Sequence, residues 1–156
     1  VCNLTVFRQC AHNGTHVDAP KHFLDDGKAV DELDLDRMIG MAKVVSARGD
    51  VTKDEITRFM TPPCERLLLK GECYITLEAA KELNKYDIKL IGNESQTVGP
   101  IEDPVPVHLE LLGKEVVLLE GIVLQDVPEG EYLLNAAPLN LGGADGAPCR
   151  AILIQL

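Results

Sequence analysis

Three of the chain's four histidines, His12, His16 and His22, lie within eleven residues and bracket Asp18. Imidazole nitrogens and a carboxylate form the ligand set of catalytic divalent metals such as zinc, manganese or iron, and a carboxylate has two oxygens with which to bridge a metal pair. A helix would align only His12 and His16, at i and i+4, and Gly14, Thr15, Val17 and Pro20 all disfavour one. In an extended chain the even spacing of His12, His16, Asp18 and His22 turns all four toward the same side. The expectation is an extended segment that presents four polar groups to one pocket. Surface histidines and a turn aspartate before Pro20 are the plainer reading, but burying so many polar groups without partners is costly.

The elements that must position this segment belong to one continuous α/β domain. The chain has 156 residues, 46% of them hydrophobic, and neither a repeat nor a Gly/Ser linker divides it. A formal charge of −10 argues against nucleic acid or an anionic membrane as partner, because both need a cationic surface. No run approaches the ~20 apolar residues of a transmembrane helix. Five cysteines at irregular spacings, with no C-x-x-C pair, fit reduced thiols in a cytoplasm better than a disulfide framework or a cysteine-rich zinc module.

Strands are expected at Asn3 to Arg8, Met41 to Ala47, Glu65 to Lys70, Ile88 to Ile91, Val116 to Leu119, Glu131 to Ala136 and Arg150 to Leu156. Thr52-Lys53-Asp54-Glu55 has the form of a capping box, opening a helix that Pro62-Pro63 stops. Thr76 opens a second helix to about Asn84. A third runs from Val107 to Leu112 and is closed by Gly113, a residue type that tolerates left-handed backbone. Alternating strands and helices followed by strands predict a mixed sheet with helices packed on it. The last strand is apolar and needs covering, within the domain or across an interface. Gly142 to Gly146 lacks the lysine of a phosphate-binding loop and reads as a tight turn, and Cys149 reads as a packed thiol.

The run His12-Asn13-Gly14-Thr15-His16-Val17-Asp18-Ala19-Pro20-Lys21-His22-Phe23 resembles the H-x-G-T-H-x-D-x-P-x-H signature of the cyclase family of metal-dependent hydrolases, which includes kynurenine formamidases and isatin hydrolases. The resemblance implies a swivelling β/β/α-type domain with a mixed sheet and flanking helices. It makes His12, His16 and Asp18 metal ligands and His22 the acid/base group. His108, the one remaining histidine, and Glu120, at the end of a hydrophobic strand, become further ligands in members with two metals. The implied cofactor is one or two divalent ions, zinc ahead of manganese, and the implied assembly is a homodimer or homotetramer. Pro128 to Tyr132 and Pro138 to Ala151 resemble the family's closing strands and glycine-rich loop.

Two departures stand out. The loop Gly92 to Gly99 carries Glu94 where the family has aspartate, and Gly99 at its second acidic position. Only eleven residues precede His12, so residues 1–156 are expected to be a cyclase-like domain without its N-terminal segment of roughly forty residues.

The chemistry implied is hydrolysis of an amide, formamide or cyclic amide, with His22 carrying a proton to the departing nitrogen. Tryptophan is absent and only six residues are aromatic, which places an unspecified small amide or lactam ahead of kynurenine formamide. The alternative is a metal-stabilised binding protein without catalysis. Structural zinc sites are usually closed and cysteine-rich, unlike this His/carboxylate set.

Overall fold

The computed structural model describes residues 1–156. The strands are β1 (His16–Asp18), β2 (Ile39–Ser46), β3 (Gly49–Val51), β4 (Arg66–Lys70), β5 (Cys73–Ile75), β6 (Leu90–Asn93), β7 (Val117–Glu120), β8 (Gly130–Asn135), β9 (Gly146–Pro148) and β10 (Ile152–Ile154). The helices are α1 (Lys53–Phe59), α2 (Leu77–Leu83) and α3 (Val105–Leu112). None of them is long and apolar enough to cross a membrane.

Local chemistry sets the helix boundaries. Thr52 Oγ1 accepts from the Glu55 N–H at 3.3 Å while the Glu55 carboxylate accepts from the Thr52 N–H at 2.9 Å, the reciprocal box read from the sequence. Thr76 caps α2 in the same way, accepting from Ala79 N. Gly113 ends α3 but keeps a helical φ of −64°, and the left-handed residue is Glu115 at φ 56°. What Gly113 supplies is space, since a Cβ there would lie 2.7 Å from the Leu109 carbonyl.

Eight strands form one mixed sheet in the order β10-β8-β2-β4-β6-β7-β1-β9, and β3 pairs with β5 apart from it. Its centre, β2-β4-β6-β7, is parallel; β1 joins antiparallel to β7 on one side and to β9 on the other. Of the parallel strands, β4, β6 and β7 are buried on both faces and are centred on apolar runs such as Val117-Leu118-Leu119. On one face α1, α2 and α3 cover a core that includes Leu67, Leu69, Ile91 and Leu118. On the other, Val17, Leu68, Leu90, Val117 and Leu119 pack with Tyr132 and Leu134 of β8.

Three expectations change. Residues 1–10 are exposed and form no strand: no ladder partner faces them, and an unpaired segment does not hold β geometry. The His12–His22 segment is extended only over His16–Asp18; His12 lies in a turn, and Pro20–His22 is a short 3₁₀ turn opened by the proline. The last strand shrinks to Ile152–Ile154, an edge strand paired only with β8, with Ile152 and Ile154 exposed.

Leu118 lies wholly buried between α3 and the sheet on the strand that ends in Glu120. Leu118→Ala is expected to reduce unfolding free energy by about 2–5 kcal/mol, seen as a lower denaturant midpoint at unchanged slope.

Candidate metal centre

β1 and β7 determine the geometry. Strand alternation puts His16 and Asp18 on one face, with Val17 turned to the opposite core. The antiparallel register places Glu120 directly opposite His16 and Leu118 opposite Asp18, so Glu120 joins the same face. His108, from the inward side of α3, completes the group. All four side chains are buried, with His16 and Asp18 each 1% exposed.

Each histidine of this group is anchored by its outer nitrogen and leaves the inner one facing carboxylates. His16 Nδ1 donates to the Gly14 carbonyl at 2.9 Å, while Nε2 lies 3.3 Å from Asp18 Oδ1 and 3.4 Å from Glu120 Oε2. His108 Nδ1 donates to the Pro104 carbonyl at 2.8 Å, and its Nε2 lies 3.3 Å from Glu120 Oε1 and 3.8 Å from Asp18 Oδ2. Glu120 is itself fixed by the Val98 N–H at 2.8 Å. This is how metal-binding imidazoles are held, with one nitrogen tied to the protein and the other free to ligate. Two polar atoms, His16 Nε2 and Asp18 Oδ2, are buried with no hydrogen-bond partner. A divalent cation among them would satisfy both, so the residues present fit such an ion.

Gly14 and Gly146 make the approach possible. Gly14 sits at φ 70° in the turn before β1, and the adjoining Thr15 hydroxyl donates to the Gly121 carbonyl at 2.7 Å, clamping β1 to the end of β7. Gly146 lies opposite Asp18 on β9, where a Cβ would fall 2.6 Å from both His12 Cε1 and the Val17 carbonyl. The glycine leaves the space that His12 occupies.

His12 and His22 occupy the open side of the group, their rings stacked at 3.8 Å. His12 Nδ1 lies 2.7 Å from Asp18 Oδ1 and so can join the cation-binding set from that side. The ring of His22 packs edge-on against Phe23, which in turn lies 4.6 Å from the ring of His108. All six residues read from the sequence therefore meet at one place, although an unbroken extended segment is not what brings them there. Asp145 was missed: it lies in the turn before β9, and its Oδ2 accepts from His12 Nε2 at 2.9 Å and His22 Nδ1 at 3.1 Å. No local signal marks it, because its place beside the histidines depends on β9 pairing with β1.

Other readings hold. Cys149 is half-buried, and burial alone pushes its thiol up to about 11, which suits packing and not nucleophilic attack. Glu94, the altered loop position, accepts from the N–H groups of Gly71 and Leu124 and so ties three loops together. A cavity of about 480 Å³ between Met41, Lys43, Pro63 and Glu131 contains none of the histidines.

Electrostatics follows from burial around two carboxylates. Burial opposes charge on His16, but Asp18 and Glu120 outweigh it and push the imidazole up to about 10. His108 is raised for the same reason, against its burial, chiefly by Glu120. Burial would raise Asp18, yet His12 and His16 hold it well below the usual carboxylate range. Without a cation, protons on the imidazoles balance the carboxylates. The stability due to His16 is complete below its ordinary 6.5 and is lost as pH rises through about 10. Cation-free protein is thus expected to lose stability between those pH values, and Zn²⁺ to remove the loss because it binds the unprotonated imidazole. Denaturant midpoints across that range, in chelator and in Zn²⁺, check this.

The sequence profile of the Cyclase family, described as "Putative cyclase", matches residues 5–100. The kynurenine formamidase of Bacillus cytotoxicus is 36% identical over 160 residues, covering 93% of this chain and 77% of that protein. Among solved structures, a potential metal-dependent hydrolase with cyclase activity superposes with a TM-score of 0.84 at 29% identity, covering 94% of this chain and 80% of that one. An isatin hydrolase bound to the product analogue thioisatinate shares the fold, with a TM-score of 0.80 at 21% identity over 94% of this chain and 72% of its own. With its mixed sheet, its histidine segment and these relatives, the chain belongs to the cyclase family.

Proposed function

We propose that the chain is a metal-dependent hydrolase that cleaves the C–N bond of a small amide, an N-formyl arylamine or a cyclic amide. One observation carries the reading: two orphaned polar atoms, His16 Nε2 and Asp18 Oδ2, lie buried among imidazoles and carboxylates beside His22. His16, Asp18, Glu120 and His108, joined by His12 on the open side, hold one or two divalent ions, zinc ahead of manganese. Bound there, the ion supplies Lewis acidity toward the carbonyl and lowers the pKa of a water toward about 7.

The side chains of the protein do the rest. Asp18 and Glu120 set the charge of the pocket, and the backbone anchors on His16 and His108 keep it rigid, so little reorganisation accompanies the reaction. Hydrolysis adds a water oxygen to the carbonyl carbon and breaks the C–N bond. His22, bonded through Nδ1 to Asp145, keeps Nε2 to take a proton from the attacking water and pass it to the departing nitrogen. Phe23 packs beside His22, with ring centroids 4.7 Å apart, and an aromatic side chain there suits an aryl amide despite the scarcity of aromatic residues elsewhere. The name of the B. cytotoxicus relative puts N-formylkynurenine at the head of a substrate panel. A non-catalytic binding role accounts less well for a half-exposed His22 placed next to the ligand set. The exposed β10 edge is the surface through which a homodimer or homotetramer would cover Ile152 and Ile154.

Metal analysis of the purified protein is expected to find stoichiometric divalent ion, and chelation to abolish hydrolysis of a panel of formanilides, N-formylkynurenine and lactams until Zn²⁺ or Mn²⁺ is restored. His22→Ala is expected to retain the ion and lose turnover by about 10²–10⁴-fold. Full activity after complete removal of metal contradicts the reading.

A further inference from the structure

Asp145 lies outside the histidine segment, on a turn that reaches the site only because β9 pairs with β1. Its carboxylate ends where the rings of His12 and His22 come together. Oδ2 receives His12 Nε2 at 2.9 Å and His22 Nδ1 at 3.1 Å, and an ionised carboxylate can only accept, so each of those nitrogens carries a proton. One oxygen thereby fixes which nitrogen of two imidazoles is left for other work. On His12 it leaves Nδ1, the nitrogen turned to Asp18. On His22 it leaves Nε2.

The turn that carries Asp145 is itself held in place. Ala19 N donates to the Asp145 carbonyl at 3.0 Å, Val30 N to the Ala144 carbonyl at 2.9 Å, and Lys21 Nζ to the Gly143 carbonyl at 3.0 Å. Ala19 and Lys21 flank Pro20 in the same segment as His22, so the carboxylate and the rings it orients are tied to one piece of backbone. An ordinary turn aspartate would bond within its own turn; this one bridges two side chains that are ten residues apart from each other and over a hundred from it.

We infer that Asp145 is a positioning residue: it locks His12 as a ligand through Nδ1 and His22 as a proton carrier through Nε2, coupling metal binding to proton transfer. The inference rests on the reading of His12 as a ligand and His22 as the acid/base group. A carboxylate behind a metal-bound imidazole orients the ring and raises its basicity, and loss of such partners typically lowers metal affinity or activity by about 10–100-fold. Here one substitution reaches both functions.

The test uses Asp145→Ala and the isosteric Asp145→Asn in the full chain, with Zn²⁺ as the probe. Competition with a chromophoric chelator is expected to show Zn²⁺ affinity about 10–100-fold weaker in Asp145→Ala and less weakened in Asp145→Asn, whose carbonyl oxygen still accepts. Turnover of formanilide is expected to fall in kcat with little change in KM. Long-range ¹H–¹⁵N spectra, assignable in a chain with four histidines, are expected to show His22 protonated on Nδ1 in the parent and to lose that preference in Asp145→Ala. A purely structural role would not move the tautomer. Unchanged Zn²⁺ affinity together with an unchanged His22 tautomer in a folded Asp145→Ala overturns the inference alone. Unchanged Zn²⁺ affinity in a separate His16→Ala variant overturns the metal reading, and the inference with it.

Discussion

Asp18 and Glu120 are buried side by side on the helix-covered face of the sheet, and much of the architecture around them exists to make that tolerable. Two carboxylates removed from water need positive charge close by, or they protonate or unfold the protein. The fold answers with three imidazoles, each aimed at the pair by a partner on its outer nitrogen: Gly14 for His16, Pro104 for His108 and Asp145 for His12. An apolar replacement at these positions would pack more easily. The retained charge, with buried polar atoms left over, suits an environment built to receive a cation.

That requirement accounts for the positions of several elements remote from the chemistry. β1 is only three residues long, yet it is held on both sides, by β7 and β9, because its register with β7 sets Glu120 against His16. α3 opens at Pro104-Val105-Pro106, and the carbonyl of Pro104, four residues before His108, accepts from both its backbone N–H at 3.1 Å and its ring Nδ1 at 2.8 Å. Thr15 and Gly121 bind the start of β1 to the end of β7. Gly146 leaves the space that His12 fills, and Gly14 takes the left-handed backbone, φ 70°, that turns the chain into β1.

Most of this was legible in the residues. Six of the seven side chains that converge were identified from their types and spacing together with the family signature, and the helices begin at the Thr52 and Thr76 caps that the sequence advertises. What escaped was long-range. An even spacing of four residues predicted one extended face, whereas Pro20 turns the chain into a 3₁₀ turn and carries His22 round to stack on His12. Asp145 was invisible because its relation to the histidines depends on β9 pairing with β1, a contact across more than a hundred residues that no local pattern encodes. The apolar alternation at Asn3 to Arg8 predicted a strand, but alternation describes a segment able to pair and not one that has a partner.

The central claim is that the buried carboxylates are organised around a cation, and anomalous diffraction from crystals of the zinc-loaded protein, recorded at the zinc absorption edge, tests it most directly. The account predicts anomalous density enclosed by His16 Nε2, Asp18, Glu120 and the inner nitrogens of His12 and His108. Zinc bound elsewhere, with imidazolium protons still bridging Asp18 and Glu120, would contradict it.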